Sequence, residues 1–478
     1  MLLRATCAQL MAFPGPKPEV SAGHKVSRDR RTYTFTIRKG FRFNTGEPVT
    51  ARSYERALIR VLSPAMRVED AELLAEQFVG GSAFHEGLAS KLTGVTANGR
   101  TLVFRLTRPW PQLLYDLAVP GRWGCPVPAR LPIDPEGVGA PLPGSGPYYI
   151  SRYVPGRAAV LVRNPLYRGS RPHHVARFEV DLTTTLLTTA QRVIEGKADL
   201  AFPVPPQVKD LVRRYGVNRR RLFFFPSPEF GPRMIGLNSR RSLFRNNPEL
   251  RRAVNYAIDR RALIRVGAGA ASPIVSPADH FLTPAVPGFR NVRIYPPGGD
   301  LRKARALAKG HTRSGKAVFY VSEQLPLILA QARLVQASLR KIGIRAEIRT
   351  FPHGVFLKKL GTPGEPFDLA MSFGFATGYP DHTLLNFMFQ RRYLPPAECC
   401  NWFGFTSRRF DRQLAQASRL SGAARSRLYG RLDVELARAA PAVPFSLSKQ
   451  AVLVSSRAGC HRFDRPLFDL ASVCLVQR

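Results

Sequence analysis

The residues Gly310-His311-Thr312-Arg313-Ser314-Gly315-Lys316-Ala317 fit the first seven positions of G-x-x-x-x-G-K-[ST], the loop whose backbone N–H groups cradle phosphates. The eighth position fails, because Ala317 has no hydroxyl to hold magnesium. The setting fails too: a helical stretch precedes the loop and a strand follows, the reverse of the order a phosphate loop needs. His173 and His174 are adjacent, and on a strand their side chains point to opposite faces, poor geometry for joint metal ligation. The cysteines Cys7, Cys125, Cys399, Cys400, Cys460 and Cys474 form no C-x-x-C pair, so a zinc ribbon or thioredoxin-like redox site has no support. There is no G-x-S-x-G elbow and no H-E-x-x-H helix, and no Ser, His and Asp set announces itself. These residues argue for a protein without catalysis, cofactor or metal.

The chain of 478 residues carries 72 Lys and Arg against 33 Asp and Glu, a net charge of +39. Of the basic residues 59 are Arg, spread from Arg4 to Arg478 with clusters at Arg28 to Arg31 and Arg219-Arg220-Arg221. Two readings stand: an Arg-rich solvated surface, or a protein that binds nucleic acid or another polyanion. No nucleic-acid module or aromatic-interleaved basic stripe appears, so no specific nucleic-acid partner is expected and polyanion binding is the alternative function. A content of 44% hydrophobic and 10% aromatic residues supports a sizeable core, in two to four domains or lobes for this length. No apolar run approaches the roughly 18 residues of a membrane-spanning helix. The opening MLLRATCAQLMAFPG shows no charged leader with a cleavage site.

The elements that would position any site follow from periodicity. Tyr33, Phe35 and Ile37 alternate with Thr34, Thr36 and Arg38 as in a half-buried strand. After the turn at Asn44–Pro48, Thr50 is placed to cap a helix with Tyr54, Ala57, Leu58, Val61 and Leu62 on one face. Asn98-Gly99 predicts a tight hairpin between Val95–Ala97 and Thr101–Leu106. The Pro- and Gly-rich stretch Pro126 to Pro147 reads as connections, with a boundary near residue 140. Asn247 and Pro248 open a predicted helix that Gly267 would stop. The strand Ala317–Val321, a helix at about Pro326–Lys341 and the strand Ile344–Thr350 predict a crossover unit with a parallel pair.

Four blocks, in order, resemble one family. They are Tyr33-Thr34-Phe35-Thr36-Ile37-Arg38-Lys39-Gly40-Phe41-Arg42-Phe43 with Gly46-Glu47-Pro48-Val49-Thr50-Ala51; then Gly144-Ser145-Gly146-Pro147-Tyr148 with Arg163-Asn164-Pro165-Leu166-Tyr167; then Leu237-Asn238 with Leu250 through Arg260; and finally Phe367-Asp368-Leu369-Ala370 through Asp381. Together they look like the family five extracellular solute-binding proteins, the peptide- and nickel-type receptors of ABC importers. The resemblance implies an α/β, two-lobed periplasmic-binding-protein-like clamp (type II, cluster C) with an extra inserted domain. Its expected parts are lobe I at 1–15, 141–236 and 444–478, an inserted smaller domain at 16–140, and lobe II at 237–443. It implies a monomer outside the cytoplasmic membrane, periplasmic or associated with the cell surface, that delivers a peptide or peptide-like solute to a membrane permease. Family members carry a leader and an opening strand segment before this region, so Met1 is expected to be a shortened start, and Cys7 has too short an apolar leader to read as a lipid-modified cysteine.

The resemblance also supplies the expected ligand contacts, Asn238, Phe375, Thr377, Gly378 and Tyr379. Phe375 stands where the family often has Trp; it reads either as a flat apolar wall of the cleft or as an ordinary core aromatic. Asp381 falls at a common family acid, with a structural turn role near the cleft. Gly378 falls where many peptide-binding members have an Asp that pairs with the ligand's terminal amine, which puts free-amine recognition in doubt. The absence of a His cluster weighs against nickel. Cys460 and Cys474, 14 positions apart in a strand-and-turn region, are expected to form a disulfide after export, against the alternative of two buried thiols. The other cysteines stay unassigned.

Overall fold

The computed structural model describes residues 2–476 except 13–15, 69–70, 112, 119–122, 220, 229–230, 270–271, 324–325, 372–382, 396–399 and 465–466. The chain forms two compact units, one from residues 1–200 with 454–478 and the other from 201–453. It therefore changes unit at 200/201 and 453/454, where the sequence reading sets the lobe changes at 236/237 and 443/444.

In the first unit β1 (Ser21–Val26), β2 (Thr32–Ile37), β3 (Val95–Asn98) and β4 (Thr101–Arg105) make an antiparallel sheet in the order β1-β2-β4-β3. Tyr33, Phe35 and Ile37 of β2 are buried while Thr36 is exposed, so one face meets the core and the other meets water. The β3–β4 hairpin turns at Asn98-Gly99, with Asn98 opposite Thr101 and Gly99 at φ +55°. The helix Ala51–Leu62 lays Tyr54, Ala57, Leu58 and Leu62 on the same core. Its first turn is held by Ser53, whose hydroxyl accepts from the Thr50 N–H at 3.1 Å. A second antiparallel sheet follows, β5 (Tyr148–Val154), β6 (Ala158–Arg163) and β7 (Arg177–Asp181).

The Gly-rich block before β5 is not simply a connection. Residues 144–148 are buried, the Ser145 and Gly146 N–H groups donate to Thr6 O at 3.0 and 2.9 Å, and Ser145 Oγ accepts from Ala8 N at 3.0 Å. A Cβ on Gly146 would stand 2.6 Å from Cys7 N, so only glycine permits this backbone approach. Cys7 is also bridged to Cys125 across 118 positions, and Cys460 to Cys474 with Cα atoms 5.3 Å apart. Buried ion pairs tie the distant segments together: Glu19 accepts from Arg171 Nε at 2.8 Å, and Arg4 lies 3.5 Å from Asp469. Arg171 also donates to the carbonyls of Arg4 and Cys7. Burial works against its charge, but Glu19, Tyr167 and Asp469 together outweigh it and raise the pKa. Burial pushes Tyr167, which donates to Glu19 at 3.1 Å, up to about 12.

The second unit is built on a mixed sheet. Among its elements are β8 (Arg233–Leu237), α1 (Pro248–Ala257), α2 (Arg260–Ala268), β9 (Lys316–Ser322), α3 (Pro326–Arg340), β10 (Arg345–Phe351), β11 (Leu369–Met371), α4 (Gly422–Ala439) and β12 (Ala442–Val454). The order runs β12-β8-β11-β9-β10, with β9 parallel to both β10 and β11, and β8 antiparallel to β11 and β12. The β9-α3-β10 crossover has the parallel pairing its sequence pattern predicts. The single helix expected from Asn247 to Gly267 is instead two. Asn247 caps α1, the chain breaks at Ile258–Asp259, and Asp259 caps α2 by accepting from Ala262 N at 2.9 Å. The break lets Arg260 turn inward, where it donates to Ala278 O, Pro444 O and both oxygens of Asn255 at 2.9 to 3.1 Å. Gly267 is not the stop: α2 ends at Ala268 with Gly269 at φ +81°. A Cβ on Gly267 would lie 2.2 Å from Gln331 Nε2, so its role is to let α2 approach α3.

Candidate functional site

Strand β11 is central, fully buried and three residues long, and the chain leaves its carboxyl end into residues 372–382 before the helix Thr383–Phe389. Phe375, Thr377, Gly378, Tyr379 and Asp381 all fall in that segment and lie outside the described residues. What the structure does fix is the strand from which they spring. In open α/β sheets ligands bind beyond the carboxyl ends of the parallel strands, because loops there are free to vary above a rigid platform.

At the opposite, amino end of β11 a polar lock holds the strand in register. Asp368 donates its N–H to Val318 O at 2.8 Å and accepts from Val318 N through Oδ2 at 2.9 Å. Arg241 Nε lies 3.5 Å from its other oxygen. Burial raises the Asp368 pKa, against the Val318 N–H and the Arg241 charge. Asn238 N donates to Asp368 O at 2.8 Å, its Nδ2 donates to Phe367 O at 2.8 Å, and its Oδ1 accepts from Arg240 N at 3.1 Å. Asn238 is 1% exposed, and both ends of its amide are engaged internally. Because β8 and β11 are antiparallel with Leu237 opposite Leu369, Asn238 sits where β11 begins, and residue 372 departs at the other end. The structure thus gives Asn238 the work of fixing two strands, and does not bring it beside the end from which the expected ligand loop departs.

Sequence reading missed the groups at the carboxyl end. Ile235 is opposite Met371, so Arg233 projects the start of β8 past the end of β11; Ser322 ends β9 and His353 follows β10. Arg233 Nη2 donates to Gln331 Oε1 at 2.9 Å, and its guanidinium carbon stands 5.2 Å from the centre of the Phe445 ring. Gln331 is itself held by donating to Leu263 O at 2.7 Å. Burial brings the Arg233 pKa down to about 10, which leaves it cationic at neutral pH. Ser322 Oγ and His353 Nδ1 are 3.1 Å apart, and the Ser446 hydroxyl opposite Arg233 is buried with no hydrogen-bond partner among the described residues. Among the described residues the rim offers Arg233 as a fixed cation together with the Ser322 and Ser446 hydroxyls and the His353 ring, a set suited to holding a carboxylate or amide. The only sequence signal for it is position: each residue stands at a strand end.

Among the described residues no group of three His, Cys, Asp or Glu could hold a metal ion, and no helix is long and apolar enough to cross a membrane.

Comparison with known proteins follows this architecture. Residues 15–392 match the model of the bacterial extracellular solute-binding proteins, family 5, middle domain, and the chain belongs to that family. It is 24% identical over 444 residues to the glutathione-binding protein GsiB of Salmonella choleraesuis, covering 91% of this chain and 81% of the relative. Among solved structures, the clavulanic acid biosynthesis oligopeptide binding protein 2 superposes with a TM-score of 0.85 at 21% identity, over 100% of this chain and 91% of that one. The Haemophilus influenzae OppA complex with RPPGFSPFR superposes at 0.78 with 18% identity, over 100% and 94%. The fold is therefore the two-lobed α/β periplasmic-binding-protein type. The chain is a non-catalytic solute-binding component of transport, of an extracellular family.

Proposed function

We propose that this protein captures a peptide or peptide-like solute with net negative charge or a blocked amino terminus. It works as a monomer in the periplasm or at the cell surface, and presents the solute to the membrane permease of an ABC importer after its lobes close. The observation that carries the ligand class is Arg233, a held cation at the strand-end rim from which the chain segment containing Gly378 departs. A cation on the rim and a glycine at the position where many peptide-binding members of the family have an amine-pairing Asp both favour an anionic ligand over one recognised by its ammonium group. Backbone pairing and water-filled pockets would supply affinity with little side-chain choice.

The test begins with a thermal-shift screen of a peptide library, followed by calorimetric titration of one hit, free and N-acetylated, into the parent and Gly378→Asp. A charge-assisted contact to ammonium contributes about 1.5 to 3 kcal/mol, so the variant should gain about 10- to 150-fold for the free amine. A parent that already prefers the free amine by about tenfold or more would sink the proposal.

A further inference from the structure

A second basic site lies in the unit formed by residues 201–453. Arg252, Tyr256, Arg293, Ile294, Tyr295 and Arg438 line an open cavity of about 310 Å3, three guanidinium groups with no carboxylate among the lining residues. The wall is built from three separate elements: α1 supplies Arg252 and Tyr256, the segment before the helix Leu301–Ala308 supplies residues 293–295, and the last turn of α4 supplies Arg438. Asp279 Oδ2 fixes the middle element by accepting from Ile294 N and Tyr295 N at 2.6 and 2.9 Å. The Tyr295 hydroxyl donates to Ala437 O at 3.0 Å, and the two tyrosine rings meet edge to face at 4.9 Å.

Like charges drawn to one cavity repel unless an anion joins them. Among the described residues Arg252 has one acid, Glu249 at 2.7 Å, while its Nε is buried with no acceptor. Arg293 and Arg438 are exposed and form no ion pair among the described residues. Lys303 adds an ammonium 4.3 Å from the centre of the Tyr256 ring, and Arg260 a guanidinium 5.4 Å from that of Tyr295. Five cations, Arg252, Arg293, Arg438, Lys303 and Arg260, stand against two acids, Glu249 and Asp279, an excess of positive charge that a phosphate dianion offsets further than a single carboxylate does. A tetrahedral phosphate also presents acceptors in more directions than a planar carboxylate, as three forks arriving from three elements require.

We propose that this cavity binds a phosphate group, from free phosphate or a small soluble phosphate ester, or from the headgroup of an anionic lipid. The site needs no peptide ligand, so it stands or falls apart from the transport reading.

The experiment uses the full chain and an Arg293→Gln/Arg438→Gln variant. Both positions are exposed, so matching melting temperatures in phosphate-free buffer verify the fold. Calorimetry with inorganic phosphate against sodium chloride of equal ionic strength tests the free ion; flotation with phosphatidylcholine vesicles, with and without phosphatidic acid, tests the lipid source. Saturable phosphate binding weakened at least about tenfold in the variant supports the site with a soluble source. Vesicle binding that needs phosphatidic acid and is lost in the variant supports it with a lipid source. Binding that is absent in both arms, or unchanged in the variant, overturns it. Double-stranded DNA binding that is lost in the variant, while phosphate and vesicles have no effect, overturns it in favour of a polymeric anion.

Discussion

His280 offers a sharp test of how the second unit is held. It is 5% exposed, with Nδ1 2.7 Å from Asp433 Oδ2 and Nε2 2.6 Å from Val292 O. Both neighbours are acceptors, so the geometry suits a ring that donates from both nitrogens, the imidazolium form. Burial opposes that charge, but the Asp433 hydrogen bond and charge, the Val292 carbonyl and Asp279 prevail and raise the pKa. Asp433, fully buried, uses its other oxygen to accept from Phe281 N and Leu282 N at 2.9 and 3.0 Å. A group that binds its proton more tightly when folded adds stability that is complete below the unfolded pKa of about 6.5 and is lost as pH rises through the folded value. In Asp433→Asn the amide oxygen can still serve the two backbone N–H groups, while its nitrogen faces His280 Nδ1. The ring then fits only when neutral, accepting at Nδ1 and donating at Nε2, and its folded pKa drops below about 6.5. The pH slope should reverse: the variant should lose up to about 1.4 kcal/mol per pH unit as pH falls below 6.5, roughly 2 kcal/mol by pH 5. Near pH 8 it should come within about 1 to 2 kcal/mol of the parent. The assay is urea unfolding followed by Trp402, the only tryptophan of this unit, with Trp110 and Trp123 replaced by Phe. If parent and variant show the same slope between pH 5 and 8, the doubly donating imidazolium is refuted.

Gly267→Ala should destabilise the second unit by about 1 to 3 kcal/mol, because the new methyl displaces the buried Gln331 amide. Gln331 holds Arg233, so affinity for an anionic solute should fall as well; an unchanged urea midpoint together with unchanged affinity would contradict both roles. For the disulfides, chain entropy gives about 5 kcal/mol for Cys7–Cys125, with 118 positions between its ends, and about 3 kcal/mol for Cys460–Cys474, with 14. Paired Ser substitutions compared by urea midpoint should follow that order, and a larger loss from the shorter loop would discount loop length as the cause.

Much of the local architecture is written in the order of residues. The alternation of Tyr33, Phe35 and Ile37 specifies a half-buried strand, Asn98-Gly99 specifies a hairpin, and the apolar period between Lys316 and Phe351 specifies a parallel crossover, because each depends on backbone preference and on which face a side chain takes. The family blocks are legible for the same reason: they are contiguous. What the sequence could not settle by itself is whatever depends on partners far along the chain. The helix pattern from Asn247 continues through Asp259, yet the chain breaks there, and Arg260 beyond the break meets acceptors on Ala278 and Pro444. Gly267 reads locally as a stop and serves as a contact surface for Gln331, 64 positions away in sequence. Asn238 reads as a ligand contact from its motif, while the antiparallel register of β8 and β11 commits it to Phe367 and Asp368. Cys7 meets Cys125, and His280 meets Asp433, only after packing has brought together segments that no local period relates. Periodicity encodes the faces of elements; tertiary packing decides which faces meet, and so which polar groups are left to receive a ligand.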